Sequence, residues 1–469
     1  MRSMPDREPF PIGNNKALFV DHLHVERAQG VRLRLHPPTK TGERLLVSDR
    51  PWEDATLNWF GVLKDGRRYR MWYEAYDVAG WPTSDDTSFC HAESDDGIHW
   101  RKTNLGLTRY RGVRDTNILF RQIGGEGYRS RVHGACVYLD PNAPRAERYK
   151  CVSQGQFHVP SGPPHRIAGM TSPDGLHWKR LPRPICDGFA DSQYSAFSNG
   201  TTGETFLYGR VAGRGGRAIG SAHAREFAAF PPLERTLETH SAEPAGVDLY
   251  NPACMPYPGE THLYLMFPSV FRHASDTLDI HLAVSRDGRN WTWPAPDSPF
   301  IPLGPSGSFD SGSLYMGNGG CLPTRDGWSL YYSGSPLRHA EVELDKLADP
   351  ANRRVISRAV AQPDRLVSAA ADPGGGRLTT TALIPGPGPL RILGSTSRHG
   401  SIRVEMVDAA GNPIAGFRAR DCIPMSGDQK WGEVRWRPGI GGAPAPTGAL
   451  RLIFELRDAR IHGFRFGPT

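Results

Sequence analysis

Five segments of the chain place an acidic or imidazole side chain directly before an apolar or small-residue run. These candidates are Glu53 and Asp54 in PWEDATLNW, His133 in RVHGAC, Asp191 in FADSQ, Asp248 in GVDLYNP and Asp310 in SFDSGS. Carboxylates that share one pocket divide labour, because burial and neighbouring charge raise the pKa of one while another stays ionised. Cleavage of a glycosidic bond needs such a pair.

Aromatic and basic side chains accompany these acids. Trp59, Tyr194 and Tyr250 follow the acidic residues of the first, third and fourth of these segments. Their rings are suited to stacking on sugar rings. Arg131 and His133 are suited to binding hydroxyls or a sugar carboxylate. The alternative for any single acid is structural, since an Asp at the start of a strand commonly caps a turn.

A heptapeptide repeat indicates how the fold positions these residues. The pattern Ser-x-Asp-Gly-x-x-Trp occurs at Ser94–Trp100, Ser172–Trp178 and Ser285–Trp291, with a decayed relative at Ser221–Phe227. Asp-Gly supplies the positive φ of a tight hairpin turn, and the Ser hydroxyl can bond the turn amides. Three copies with the same offsets predict a repeated supersecondary unit.

Each repeat follows a small-residue run and then an aromatic run with period-two alternation, such as RYRMWYEAY at 68–76. About five such groups occur, and the Asp-Gly turn is clear in three of them. Four antiparallel strands repeated radially describe the blades of a β-propeller, and the starts of its innermost strands would meet at one mouth. The last unit lacks its own hairpin. The segment that follows it, or an N-terminal strand around 17–35, would close the ring.

The residue pattern of the sequence changes after Leu344. Alternating runs bounded by Gly, Pro and Asn follow, for example SIRVEMVDAAGNPIAGF and ALRLIFELRDARIHGFRF. We therefore expect an all-β protein with a five-bladed β-propeller over residues 1–345, including an N-terminal closing segment, and a C-terminal β-sandwich with its linker over 346–469. The sandwich would be a buttress for the propeller or an accessory sugar-binding module.

Composition narrows the function classes. The net charge of +7 is spread over the chain without a dense basic run, which argues against a nucleic-acid partner. No apolar stretch approaches a membrane span or a signal peptide, so we expect no membrane partner and a cytoplasmic location. The 7 cysteines contain no CxxC and are expected to be reduced core residues. No cofactor or metal motif is present, and although a structural Ca²⁺ suits such a channel, no ligand spacing demands it.

The three repeats resemble a group of bacterial proteins, as do LFVDHLHVERAQGVRLRLHPP near the start, YLDPNAPRAERYK after the second small-residue run and the C-terminal strands. The group is the glycoside hydrolase family 32-like proteins, in the superfamily of five-bladed propellers that also holds family 43. The resemblance spans nearly the whole chain. It implies a propeller with a sandwich, and a carbohydrate as substrate.

The sequence departs from the family 32 catalytic motifs. Those enzymes carry Asn-Asp-Pro-Asn, Arg-Asp-Pro and Glu-Cys in the first three blades, whereas this chain has PWEDATLNW, HGAC and ADSQ. By position, Glu53 or Asp54 and Asp191 stand where the superfamily keeps its nucleophile or base and its acid. Asp248 and Asp310 would bind hydroxyls or tune a pKa.

These observations favour a glycoside hydrolase-like enzyme that cleaves a terminal sugar or a short oligosaccharide in the central pocket. Glu53, with Asp54 as the alternative, and Asp191 would be the catalytic pair. A carbohydrate-binding propeller without catalysis is the second hypothesis, since the familiar motifs are absent. A glycan phosphorylase is the third, and would need Arg and His side chains to converge beside the acids.

Overall fold

The computed structural model describes residues 8–80, 87–123, 132–158, 161–162, 164–191, 193–240, 246–437, 446 and 448–467. The described chain is nearly all β. It divides into two compact units, of which unit 1 comprises Met1–Pro37 with Gln362–Thr469 and unit 2 comprises Pro38–Ala361.

The first seventeen strands in chain order are β1 (Phe10–Gly13), β2 (Ala17–Leu18), β3 (Val25–Gln29), β4 (Val31–Leu35), β5 (Thr39–Lys40), β6 (Thr56–Asp65), β7 (Arg68–Tyr76), β8 (Ser88–Ser94), β9 (Ile118–Phe120), β10 (Cys136–Leu139), β11 (Tyr149–Gln156), β12 (His165–Ser172), β13 (Lys179–Arg180), β14 (Ser195–Ser198), β15 (Thr205–Ala212), β16 (Arg217–Ala224) and β17 (Glu234–Leu237).

The remaining strands are β18 (Val247–Leu249), β19 (Cys254–Pro256), β20 (Tyr264–Met266), β21 (Ser269–Arg272), β22 (Thr277–Ile280), β23 (Ala283–Ser285), β24 (Trp291–Thr292), β25 (Ser313–Thr324), β26 (Gly327–Ser335), β27 (Val355–Ala361), β28 (Val367–Ala371), β29 (Gly376–Thr380), β30 (Leu383–Pro385), β31 (Leu390–Asp408), β32 (Asp428–Glu433) and β33 (Leu450–Phe466). The described residues also form the short helix α1 (Leu344–Leu347) and 3₁₀ turns at Pro51–Glu53, Arg145–Glu147, His339–Glu341 and Pro350–Asn352.

The described residues of unit 2 form five antiparallel groups of four strands, which we call sheets 1 to 5 in chain order. Sheet 1 is β6-β7-β8-β9, sheet 2 is β10-β11-β12-β13, sheet 3 is β14-β15-β16-β17, sheet 4 is β19-β20-β23-β24 and sheet 5 is β25-β26-β27-β5. A ribbon of β18, β21 and β22 accompanies sheet 4. The predicted small-residue and aromatic runs thus form the first and second strands of the sheets.

The alternation along β7 explains why neighbouring sheets stack. Met71 and Tyr73 point into a core shared with Tyr331 of sheet 5. Trp72, between them, points the other way into a core shared with Met170 of sheet 2. Because successive side chains of a strand face opposite sides, one aromatic strand supplies apolar contacts to both neighbouring sheets.

The first strands of the five sheets contact one another in a closed cycle that runs from β6 through β10, β14, β19 and β25 back to β6. A parallel bridge between Asn318 and Gly61 joins the last sheet to the first. Buried amides fill the centre of the cycle. Asn318 donates to the carbonyl of Tyr194 at 2.6 Å, and Gln193 donates to that of Phe60 at 2.9 Å.

Sheet 5 takes its outer strands from both ends of unit 2. The third strand, β27, comes from the following segment, and the fourth, β5, comes from the start of the unit. The two sources that the sequence left as alternatives therefore both contribute, and the N-terminal contribution is residues 39–40 rather than the strand expected around 17–35. The outer strands of this sheet bring two chain ends of unit 2 together.

The heptapeptide turns link each of their sheets to the preceding sheet. In each turn the Ser hydroxyl accepts the Gly amide at 2.9 Å, and the Asp carboxylate accepts the next two amides. The Gly carbonyl accepts a hydrogen bond from an aromatic side chain on the second strand of the preceding sheet. The pairs are Trp72 with Gly175, Tyr208 with Gly288, and Tyr331 with Gly97, at 2.6–2.7 Å. The last pair joins sheet 5 to sheet 1.

Unit 1 is built on two long antiparallel strands, β31 and β33. Strand β28 lies between β33 and the N-terminal strand β4, and β2 also pairs with β33. The N-terminal segment therefore belongs to unit 1, although the sequence assigned it to the propeller, and the second boundary lies at 361–362 instead of 345–346. The physical reason is edge pairing, since β28 would otherwise leave its backbone groups unpaired.

All 7 cysteines are free and buried, as the sequence predicted. None of the helices in the described ranges is long and apolar enough to cross a bilayer.

Replacement of Gly175 by Ala tests the link between turn and sheet. Gly175 has φ +75°, and an added Cβ would lie 2.7 Å from Cζ2 of Trp72. A left-handed non-glycine residue costs roughly 1–2 kcal/mol, and overpacking adds roughly 1–3 kcal/mol. We expect the free energy of unfolding, measured by chemical denaturation, to fall by the sum of these terms.

Gly66→Ala is the matched control, because Gly66 has φ +60° and nothing within 4 Å of the added Cβ. It should lose only the backbone contribution. Equal losses for the two variants would contradict the packing of the turn against Trp72.

Candidate functional site

The ends at which the first strands begin carry a continuous set of polar and aromatic side chains, which we call the mouth cluster. All five sheets or their adjoining segments contribute to it. Its members are Asn58, Trp59, Glu74, Tyr76, His133, Asp191, Arg210, Arg217, Asp248, Tyr250, His273, Tyr315, His339 and Arg354.

Sheets 1 and 2 meet at an acid–imidazole contact. Glu74 is completely buried on β7, and its Oε2 lies 3.3 Å from Nδ1 of His133. The hydroxyl of Tyr76 lies 3.1 Å from the same nitrogen. The other ring nitrogen, Nε2, lies 3.2 Å from the main-chain carbonyl oxygen of Asp191. Because a carbonyl only accepts, Nε2 carries a proton, and His133 holds the Asp191 segment in place.

Asp191 is the solvent-facing acid of the cluster. Its side chain is 66% exposed, and its Oδ2 lies 3.5 Å from Nη2 of Arg210. A pair this long and this exposed restrains the carboxylate only weakly. Asp191 is therefore open to a ligand, while His133 fixes its backbone.

An aromatic group lies between Arg210 and sheet 5. Tyr250 stacks on Trp59 with centroids 6.2 Å apart, and Tyr315 meets Tyr250 edge-on at 5.8 Å. The guanidinium of Arg210 lies over the Tyr250 ring, 5.2 Å from its centroid. The hydroxyl of Tyr250 is 2.9 Å from Nε2 of His339. Burial raises the pKa of Tyr315 to about 12, so this phenol stays neutral.

Asp248 is buried beside this aromatic group. Its Oδ2 accepts Nη1 of Arg217 and Nε2 of His273, each at 3.0 Å. Its Oδ1 is buried and accepts no hydrogen bond from any described residue. Gly216 permits the approach, since a Cβ there would lie 2.7 Å from Oδ2. One carboxylate oxygen has therefore lost its water on burial without gaining a hydrogen bond from a described residue, which costs free energy.

Arg354 closes the circle of side chains. Its guanidinium lies 4.5 Å from the centroid of Tyr315, and its Nη1 donates to Oδ1 of Asn58. Asn58 in turn donates to the hydroxyl of Tyr76 at 3.1 Å. The path therefore returns to His133, so residues far apart in sequence form one continuous network of contacts.

Glu53 lies away from this cluster. It is completely buried, with Oε2 at 2.5 Å from Nζ of Lys102 and Oε1 accepting the Tyr73 hydroxyl at 2.7 Å. Burial raises the pKa of Glu53, and the charge of Lys102 opposes that shift. The sequence predicted Glu53 as a member of the catalytic pair. The structure instead buries its side chain completely, which leaves no surface for a substrate. Asp54 accepts the Val78 amide at 2.7 Å and orders the loop after β7.

Two of the other predicted residues also serve local structure. Asp310 accepts Lys40 at 2.7 Å and Tyr332 at 3.0 Å. Burial would raise its pKa, but the hydrogen bonds from Lys40 and Ser308 lower it. Tyr194 is buried, and its hydroxyl donates to the Ala190 carbonyl at 2.7 Å.

Five of the predicted residues, namely His133, Asp191, Asp248, Trp59 and Tyr250, come together in the mouth cluster. Arg131 lies outside the described residues.

Sequence reasoning missed Glu74, Asn58 and Arg354. A signal existed for Glu74, since an acid interrupts the otherwise apolar run MWYEAY in a strand predicted to be buried. Arg354 had no such signal, because it lies in the connection before β27, which the sequence treated as a linker.

The described residues hold no group of three or more His, Cys, Asp or Glu arranged to bind a metal ion. A cavity of about 740 Å³ lies at the opposite ends of the first strands, where Val62, Tyr138, Pro256 and Leu322 line it. Its lining is mainly apolar, which separates it chemically from the mouth cluster.

Replacement of Lys102 by Met tests the structural role of Glu53. Removal of one partner from a buried ion pair costs about 3–5 kcal/mol. A buried acid whose pKa is higher in the folded than in the unfolded state contributes most to stability at a pH below its unfolded pKa. This contribution is lost as the pH rises through the pKa of the folded state. The variant should therefore lose stability, and should lose more at pH 8 than at pH 5, in urea unfolding.

Lys179→Met is the matched control, because Lys179 is exposed on β13. It should leave the free energy of unfolding nearly unchanged. The double variant Glu53→Gln/Lys102→Met should recover part of the loss. A stable single variant without pH dependence would argue against a structural ion pair at this position.

No family model matches the chain, and no curated protein matches it. Among solved structures it is similar to a member of the GH130 family of mannoside phosphorylases, which contains glycoside hydrolases that target β-1,2 mannosidic linkages in Candida mannan (15% identical, TM-score 0.48, 72% of this chain and 96% of that chain). It is also similar to a glycosyl hydrolase from Bacteroides ovatus (13% identical, TM-score 0.44, 77% and 99%). A third is an N-acetylgalactosamine deacetylase from F. plautii (16% identical, TM-score 0.44, 70% and 94%). At these values no residue role is transferred from those proteins.

Proposed function

We propose that this protein is a carbohydrate-active enzyme of the glycoside hydrolase type, in which unit 2 is a five-bladed β-propeller and unit 1 a β-sandwich. The closed cycle of first strands in unit 2 supports the propeller. The single apolar core that Leu378, Ile392, Val404 and Phe454 share in unit 1 supports the sandwich. The substrate is a terminal sugar or a short oligosaccharide that enters the mouth cluster.

The observation that carries this proposal is an exposed carboxylate, Asp191, beside aromatic rings and arginines that come from other sheets. Sugars are bound by this combination, because aromatic faces stack on C–H surfaces and charged groups form strong hydrogen bonds to hydroxyls. The convergence of side chains from all five sheets favours a ligand that enters by its end over a long glycan bound along its middle.

Asp191 acts on the glycosidic oxygen in this proposal. When protonated it donates to the leaving group, and when ionised it takes a proton from an attacking hydroxyl or water. Asp248 is the second carboxylate. Arg217, which pairs with Asp248, and Arg210, which pairs with Asp191, both lie over the ring of Tyr250. These contacts connect both acids to the same aromatic ring, which supports their assignment to one site.

Glu74 and His133 are positioning residues. Glu74 contacts His133, and His133 donates to the main chain of Asp191, so together they fix the segment that carries the acid. Asp310 and Glu53 take no part, because each is occupied by a lysine within its own sheet.

Carbohydrate binding without cleavage is the second candidate. One observation favours it: Asp191 is exposed, whereas Asp248 is only 2% exposed and already holds an arginine and a histidine. A lectin-like protein would need only the aromatic and arginine contacts. Formation of products from a glycan panel distinguishes the two functions.

Replacement of Asp191 by Asn tests the proposed role. Turnover of a glycan that the wild-type protein cleaves should fall by roughly 10²–10⁴-fold, as expected for the loss of an acid–base group. The thermal unfolding midpoint should stay unchanged, because the side chain is largely exposed.

Asp187→Asn is the matched control, since Asp187 lies nearby in sequence with its side chain 81% exposed. It should retain wild-type turnover. Full activity of Asp191→Asn on the same glycan would rule out Asp191 as the proton donor or acceptor.

A further inference from the structure

Three arginines of the mouth cluster surround the aromatic group, and their charges are unequally balanced. These are Arg210, Arg217 and Arg354, which lie over the rings of Tyr250 and Tyr315. Arg217 has a buried partner, because Oδ2 of Asp248 accepts its Nη1 at 3.0 Å. Neither of the other two has a buried acidic partner among the described residues.

Arg210 is largely buried, with 13% of its side chain exposed, and its nearest carboxylate oxygen lies 3.5 Å away on the exposed Asp191. Its Nη1 is buried and makes no hydrogen bond to a described residue. Burial of a guanidinium is costly unless an anion compensates it. Asp191 supplies that compensation only in part, because water screens an exposed pair.

Arg354 has a neutral partner in place of an acid. Its Nη1 donates to the amide oxygen of Asn58, and its Nε is buried without a hydrogen bond to any residue that the structure describes. Over the described ranges, no carboxylate lies within ion-pair distance of Arg354. Asn58, which contacts both residues, lies between Arg354 and the carboxylate of Glu74.

The neighbouring imidazole responds to this excess of positive charge. Burial lowers the pKa of His339, and the charges of the three arginines lower it further, against the opposing effect of Asp276. His339 is therefore neutral at neutral pH and adds no charge of its own. Its Nε2 remains paired with the hydroxyl of Tyr250 at 2.9 Å.

We propose that the substrate presents an oxyanion, the carboxylate of an acidic sugar or a phosphate, to Arg354 and Arg210 across the Tyr250–Tyr315 aromatic group. Guanidinium groups bind both oxyanions through paired N–H···O contacts. The bound anion supplies the charge that the described residues lack, and Tyr250, the partly exposed ring of the aromatic group, contacts the sugar ring attached to it. This inference rests on the proposed carbohydrate function and narrows it to anionic substrates.

Binding calorimetry on the full chain tests the inference with matched ligands. Galacturonate is compared with galactose, glucuronate with glucose, and glucose 1-phosphate and inorganic phosphate form the phosphate arm. We expect the anionic member of at least one pair to bind roughly 10- to 100-fold more tightly than its neutral counterpart, as charge-assisted hydrogen bonds predict. A preference limited to uronates identifies the carboxylate, and one limited to the phosphate arm identifies phosphate.

Arg354→Gln should weaken the binding of the anionic ligand much more than that of its neutral counterpart, so that the ratio of the two affinities falls toward one. Arg210→Gln gives a second, independent variant if the first fails to fold. Arg145→Gln is the matched control, because Arg145 is exposed in the 3₁₀ turn between β10 and β11, at the opposite ends of the first strands.

Equal binding of neutral and anionic ligands would overturn the oxyanion inference and leave the carbohydrate function standing. No binding in any arm would also overturn it. Tight binding of inorganic phosphate alone, in a protein that cleaves no glycan, would keep the oxyanion site and reject the proposed enzyme.

Discussion

Every first strand in unit 2 must meet the next, because each sheet leaves one strand edge facing the centre. The cycle from β6 to β25 and back to β6 meets this requirement through the bridge between β25 and β6, and the last sheet separately needs its outer strands. Strand β27 and the two residues of β5 supply them. The contact of Tyr331 with Gly97 then ties the last sheet to the first with the same hydrogen bond that the heptapeptide makes elsewhere. Closure therefore fixes where all five strand starts lie.

The mouth cluster follows from this closure. His133 reaches both Glu74 of sheet 1 and the Asp191 segment of sheet 3 because strand β10, which follows it, lies between the first strands of those sheets. Closure of the cycle also brings Tyr250, which lies before β19, into contact with Trp59 of β6. Burial then divides the acids into roles. Glu74 is enclosed and holds a neighbour, whereas Asp191 stays open to solvent. The chemistry is set by which carboxylates keep a free surface.

The sequence was informative where a pattern is local or repeated. The three heptapeptides predicted hairpin turns whose Ser and Asp contacts the structure contains, and the alternation in 68–76 predicted β7 residue for residue. Local patterns could not reveal pairings between distant segments. The N-terminal β4 joins β28 in unit 1, and Lys102 neutralises Glu53, through contacts over long sequence separations. An acidic residue at the start of a strand has the same sequence pattern whether its side chain faces a pocket or pairs with a lysine.

The most direct test of the account is hydrogen exchange of the Asp191→Asn variant, with and without a glycan that the wild-type protein cleaves. We expect simultaneous protection of the segments around Trp59, His133, Tyr250 and Arg354, which are far apart in sequence and share only the mouth. Protection confined to unit 1, or to the apolar cavity around Tyr138 and Leu322, would contradict the claim that the converging strand starts form the site.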